Sequence, residues 1–243
     1  MEITMLITNK MKEKTENLLG SPIVTIAFLG DSVTQGCFDV YVTGPESIDT
    51  YYDVENAYHT KVRKILSMLY PKTPINIINA GICGDNAVRG AARLERDVLR
   101  YSPDLCVVCF GLNDCCCIEL EDYKKSLREI FDRLQEKNVE IIFMTPNMMC
   151  TKVSAHLEKQ QLIQIAESSC NTEIKGVLEM YLNAAREIAE EKGIPVCDCY
   201  IKWKKLYQNG VDTTNLLSNY INHPTEDMNW LFAYSLVETM FTC

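Results

Sequence analysis

Short runs of apolar and β-branched residues alternate along this chain with longer stretches whose apolar residues recur every three or four positions. The short runs, at 23–29, 75–79, 105–110, 140–144 and 194–197, predict strands buried on both faces. The longer stretches predict helices. Residues 55–69 carry Val62, Ile65, Leu66 and Leu69 on one side, and residues 86–99 carry Val88, Ala91, Leu94 and Val98. Two more follow at 122–135 and 172–192, the latter closed by Gly193, and Pro224-Thr225 opens a last helix reaching Met240. Strands that alternate with helices form a parallel sheet covered on both faces. Right-handed crossovers then give a three-layer α/β/α sandwich on a five-stranded parallel sheet. With no internal repeat and no Pro/Gly-rich linker, one domain is expected over 1–243, with a helical N-terminal extension over about 1–20. The segment 37–56, with Tyr41, Tyr51 and Tyr52, reads as irregular. It leaves the carboxyl end of the first strand, where ligands bind in such sheets.

Composition changes this picture little. At 243 residues, 47% hydrophobic and 23% charged, the chain is an ordinary globular protein. A single domain of this size buries about 70–75% of its unfolded surface. A net charge of −9 argues against an extended phosphate-binding face, so nucleic acid is not an expected partner. Residues 1–20 carry Glu2, Lys10, Lys12, Glu13, Lys14 and Glu16 and lack the apolar core of a signal peptide. No stretch approaches the roughly 18–20 apolar residues that span a bilayer. The expectation is a cytoplasmic protein without a membrane partner; oligomeric state is left open.

Twelve cysteines suggest a metal or redox centre, but their spacing argues otherwise. Cys106 and Cys109 fall on a buried strand and point in opposite directions, and Cys197-x-Cys199 has no second close pair. Most are expected to be reduced, small apolar residues. Cys115-Cys116-Cys117 lies near the proposed chemistry, so oxidation sensitivity there is a secondary expectation.

That chemistry begins at Gly30-Asp31-Ser32-Val33-Thr34, where the chain leaves the first strand and turns sharply. A serine there is lifted from the sheet among backbone N–H groups, which suits a nucleophile in acyl transfer. After the second strand comes Asn79-Ala80-Gly81-Ile82-Cys83-Gly84-Asp85-Asn86, a glycine-rich turn entering a helix. The third strand ends in Gly111-Leu112-Asn113-Asp114, and Asn222-His223-Pro224 precedes the last helix. In a parallel sheet all the carboxyl ends share one rim. Serine, backbone amides, an asparagine amide and an imidazole therefore make a nucleophile, an oxyanion hole and a general base.

This constellation resembles the SGNH hydrolases, also called GDSL esterases and lipases, from Ile23 to about Ala233. The resemblance implies a flavodoxin-like sandwich and a serine ester hydrolase that works through an acyl-enzyme. It implies Ser32 as nucleophile and His223 as base, with the N–H groups of Ser32 and Gly84 and the Asn113 amide at the oxyanion. No metal or organic cofactor is required. The choice of Gly84 over Gly81 rests on the resemblance alone. The family's usual aspartate three residues before the histidine is here Tyr220. In another hydrolase, replacing the triad Asp by Asn costs about 10⁴ in turnover. Three alternatives stand: a backbone carbonyl or Asn219 holds Nδ1–H; an acid such as Asp212, Glu226 or Asp227 reaches it; or the site is slow.

The Asn-His-Pro setting looks more like the carbohydrate esterases of the family. A small acetylated sugar is the expected substrate, with a lipid ester or thioester as the alternative, or a silent binding protein of the same fold. Asp31 and Asp114 read as scaffolding, and His59 and His156 as ordinary polar residues. Met148-Met149 lines a substrate pocket or fills the core; Trp203 and Trp230 stack on a sugar or pack.

Overall fold

The computed structural model describes residues 5–45 and 47–242. Helix α1 (Leu6–Glu16) lies across the amino-terminal end of the sheet. Its first amides, at Leu6 and Ile7, each donate to the Glu140 carboxylate at 2.7 Å, so a strand residue caps the helix from outside. Lys10 pairs with Asp104 at 2.7 Å, and the second oxygen of that carboxylate accepts from Thr25 N at 2.8 Å. Ile7 and Met11 enter the core.

Strands β1 (Val24–Gly30), β4 (Ile75–Gly81), β5 (Leu105–Cys109), β6 (Glu140–Thr145) and β7 (Val196–Asp198) form one parallel sheet in the order β4-β1-β5-β6-β7. Strand alternation divides their side chains between two cores. Ile26, Phe28, Val107 and Cys109 pack with residues of α3 (Tyr58–Leu69) and α10 (Asn229–Thr242). Ala27, Leu29, Cys106 and Val108 pack with α4 (Ala87–Asp97), α6 (Leu120–Glu136) and α8 (Val177–Glu191). Cys106 and Cys109 thus do point to opposite faces. Each fully buried Leu, Ile or Phe contributes about 1.5–3 kcal/mol. Gly30 pairs with both Gly81 and Cys109, so the three turns that follow leave the sheet at one level.

Three expectations need correction. The segment 37–56 is not irregular: β2 (Cys37–Gly44) and β3 (Ser47–Tyr52) pair as an antiparallel hairpin. Val40 and Val42 pack against the first core, which gives the hairpin a buried face. The helix expected over 172–192 is two helices, α7 (Gln160–Ile174) and α8, broken at Gly176 with φ of +69°. The last helix starts at Asn229 rather than Pro224, because Pro224 bridges Leu217 in an antiparallel contact. Two single turns, α2 (Ser32–Gln35) and α5 (Asp114–Cys117), and helix α9 (Cys199–Gln208) complete the α-helices among the described residues, with short 3₁₀ helices at Leu99–Tyr101 and Thr213–Leu216. No helix among the described residues is long and apolar enough to cross a membrane.

Candidate active site

Strand β1 ends at Gly30 and the chain turns within two residues into α2. A Cβ at Gly30 would lie 2.2 Å from Thr34 Oγ1 and 2.7 Å from the Cys109 carbonyl oxygen, so only glycine permits so tight a turn. The Asp31 carboxylate caps it, accepting from Val33 N at 3.0 Å. Ser32 stands at the first helical position, its hydroxyl oxygen 2.9 Å from Nε2 of His223. Each of the two residues is only 4% exposed.

The loop that carries His223 is held by amides. Asn219 Oδ1 accepts from the backbone N–H groups of Ile221, Asn222 and His223, each at 3.0 Å. Asn147 Nδ2 donates to the Asn222 carbonyl at 2.8 Å, and Ser218 N to the His223 carbonyl at 2.8 Å. None of the side chains considered as orienters bonds to Nδ1. Asn219 is spent on those amides, Asp212 pairs with Lys152 at 2.6 Å, and Glu226 and Asp227 are exposed. Nδ1 makes no hydrogen bond of full geometry among the described residues. The one backbone group that favours its protonated form is the Phe38 carbonyl, which also accepts from Ser218 Oγ. Burial outweighs that carbonyl and pushes the imidazole down to about 4, so the ring is neutral at pH 7 and free to take a proton. Tyr220 has φ of +56° and stacks on His156, ring centroids 5.0 Å apart.

Across the rim, Gly84 has φ of +71°, and no atom of the described residues lies within 4 Å of where a Cβ would sit. The N–H groups of Ser32 and Gly84 donate to no atom among the described residues. Asn113 Nδ2 donates one hydrogen to the Asp85 carbonyl at 2.9 Å, which leaves the other for a ligand.

Buried ions join these turns, and the sequence reading missed the most important of them. Arg93 donates to the Gly30 carbonyl at 2.9 Å, the Ala80 carbonyl at 2.7 Å and the Asp85 carboxylate at 2.7 Å. One guanidinium thereby clasps the ends of β1 and β4 and the glycine-rich turn. The four-residue spacing of Asp85, just ahead of α4, with Arg89 and Arg93 on it was the available signal. Asp114 accepts from Ala87 N at 2.7 Å and Gly111 N at 2.8 Å, the scaffolding role expected of it. Burial raises Asp114 to about 6. It raises Asp31, which has a single amide donor and lies near Asp114 and Asp85, to about 8. Asp31 is therefore largely neutral at pH 7, which limits negative charge beside the open N–H groups.

The other candidates lie elsewhere. His59 is buried beside Tyr58 and Phe28, Trp203 fills the first core, and Trp230 lies under the Lys61 ammonium, 4.9 Å from its ring centroid. The cysteines among the described residues are free, and no cluster of three His, Cys, Asp or Glu there is arranged to hold a metal ion.

Residues 28–231 match the profile of the GDSL-like lipase/acylhydrolase family. The chain belongs to that family. Among curated relatives of this family member is an acetylxylan esterase of Geobacillus stearothermophilus, 28% identical over 132 residues. That alignment spans 50% of this chain and 58% of the relative, little more than half of its length. The solved structure of an acetylxylan esterase from the same organism superposes with a TM-score of 0.66 at 20% identity, covering 89% of this chain and 94% of that one. The acetyl xylan esterase AlAXEase gives 0.66 at 20% identity over 90% of this chain and 100% of its own. A two-domain esterase active on acetylated mannans gives 0.63 at 18% identity, over 95% of this chain and 52% of that protein. These likenesses establish a shared sandwich fold.

Proposed function

We propose that this GDSL-family chain is a serine ester hydrolase acting through an acyl-enzyme, and that it removes acetyl groups from small acetylated carbohydrates. The observation that carries the reading is the 2.9 Å contact of Ser32 Oγ with a neutral, buried imidazole. His223 Nε2 takes the serine proton as Oγ attacks the ester carbonyl. The N–H groups of Ser32 and Gly84 and the second hydrogen of Asn113 Nδ2 meet the developing oxyanion. The ester C–O bond then breaks and the alcohol leaves with the proton from His223. Water, deprotonated by the same nitrogen, attacks the acyl carbonyl and frees Ser32.

The base is a dyad member rather than part of a carboxylate-supported triad. The Phe38 carbonyl is the one backbone group that favours the protonated ring, and with no hydrogen bond to Nδ1 among the described residues the imidazolium receives less charge stabilisation than a carboxylate would give. The preference for acetylated sugars is supported by the acetylxylan and acetylmannan esterases among the similar proteins. Acetate release from acetylated xylo-oligosaccharides, beside an acyl-length series of simple esters, tests it. Acetyl esters should be the best substrates, with kcat/KM falling as the acyl chain lengthens. A preference for chains beyond about eight carbons, each added CH₂ contributing about 0.8 kcal/mol of burial, would instead identify a lipid esterase.

A further inference from the structure

A cavity of about 530 Å³ is lined by Asn113, which also serves the proposed oxyanion hole, and by Asn222, the neighbour of His223. Its size falls in the range of about 300–1,000 Å³ typical of small-molecule sites. Helix α7 supplies one wall through Gln164, Ile165 and Ser168, and Ile48 of the hairpin faces into it as well. Gln161 Nε2 donates to the Pro45 carbonyl at 2.9 Å and so ties this wall to the hairpin turn.

Two features define what the cavity accepts. First, among the described residues no Lys, Arg, Asp, Glu or His lines it, and its one ionisable side chain is the Cys116 thiol. An anionic head group or a uronate would lose hydration there and find no cation in return. Second, three of its polar side chains are unspent: Gln164, Ser168 and Ser169 make no side-chain hydrogen bond among the described residues, whereas Asn113, Gln161 and Asn222 each make at least one. An acyl chain would leave those amides and hydroxyls unpaired, whereas a polyol would satisfy them. Ile48 and Ile165, 48% and 37% exposed, offer apolar area to the C–H faces of a pyranose ring.

We propose that this cavity seats the alcohol half of the ester and selects an uncharged glycosyl unit, with Gln164 and Ser168 meeting its hydroxyls and Ile48 and Ile165 its ring. The assignment rests on the esterase reading above for the identity of the ligand, and its test separates the two.

Cys116 lines the same cavity and is exposed. The Cys115 thiol, 3.8 Å away, lowers it to about 6, and its exposed sulfur is open to alkylation. Cys117 is exposed but outside the lining and serves as internal control. In Ser32→Ala protein, which holds ligand without turnover, iodoacetamide labelling of each thiol is followed by fragment-resolved mass spectrometry. Acetylated xylobiose should slow Cys116 labelling saturably, by about tenfold at ten times its Kd, with Cys117 unchanged. Acetylated digalacturonate and ethyl octanoate should not protect. Gln164→Glu, an isosteric charge at an exposed position, should abolish protection and, with Ser32 intact, lower kcat/KM for acetylated xylobiose relative to p-nitrophenyl acetate. Turnover of acetylated xylobiose without Cys116 protection, or equal protection by the uronate or the octanoate, overturns the seat. Protection by acetylated xylobiose in a chain whose wild type releases no acetate would support the seat and sink the esterase reading.

Discussion

The pH dependence of turnover follows from how His223 is buried. An imidazole in water titrates at about 6.5. Here desolvation, opposed by the Phe38 carbonyl, moves it down to about 4, and no carboxylate among the described residues bonds to Nδ1. At pH 5.5 a base of pKa 4 is about 97% neutral, whereas one of pKa 6.5 is about 9% neutral, so the two cases differ about tenfold in competent enzyme. The acid limb of kcat/KM for p-nitrophenyl acetate, read at the isosbestic wavelength of p-nitrophenol, should therefore have its midpoint well below pH 6. Folding must be followed in parallel, because His59 is likewise lowered to about 4 by burial. The unfolded rings bind protons below about 6.5 and the folded rings only below about 4. Stability thus falls as pH drops through that window, by about 3 kcal/mol for each ring at 1.36 kcal/mol per unit. Circular dichroism at each pH separates lost fold from lost base. A limb centred between pH 6 and 7 in fully folded protein, or a His223 ring titrating there by NMR, would refute the buried-dyad reasoning.

Other perturbations have opposite or separable signatures. Arg93→Met leaves the buried Asp85 carboxylate without its main partner and frees the Gly30 and Ala80 carbonyls; urea denaturation should show a loss of about 3–5 kcal/mol. Asp31→Asn removes a carboxyl raised to about 8, whose ionisation costs stability progressively as pH rises from 3.8 through 8. The variant should gain about 4 kcal/mol on wild type between pH 5 and pH 8, read from paired denaturation curves. Tyr220→Asp places an acid where the family usually has one, at a φ of +56° that Asp tolerates better than Tyr. Its acid limb should move up in pH and its kcat rise; an unchanged profile would mean position 220 does not reach Nδ1.

The parallel sheet was legible because its strands are buried on both faces and read as unbroken apolar runs; their bounds differ from the observed ones by a residue or two. The four turns were legible because glycine, serine, asparagine and histidine each mark a strand end or a helix entry. The hairpin was not, since beyond the buried Cys37 and Phe38 at its start only Val40 and Val42 pack against the core and its tyrosines disguise the alternation. The break between α7 and α8 turns on Gly176 alone, inside a helical pattern that otherwise continues. A backbone carbonyl stood among the alternatives for the group beside the imidazole, but which one was beyond reach: every residue carries a carbonyl, and nothing in Phe38 marks its own. Arg93 reaches Gly30 across 63 positions, a contact that only the sheet order explains.

The most direct test is active-site titration with a fluorophosphonate probe on wild type and Ser32→Ala, at pH 7 and pH 5.5. One phosphonyl group per chain in the wild type at both pH values, none in the variant, and parallel loss of p-nitrophenyl acetate turnover is the predicted result. A folded wild type that neither labels nor turns over would contradict it, and would mean that the Ser32–His223 contact is not a working dyad.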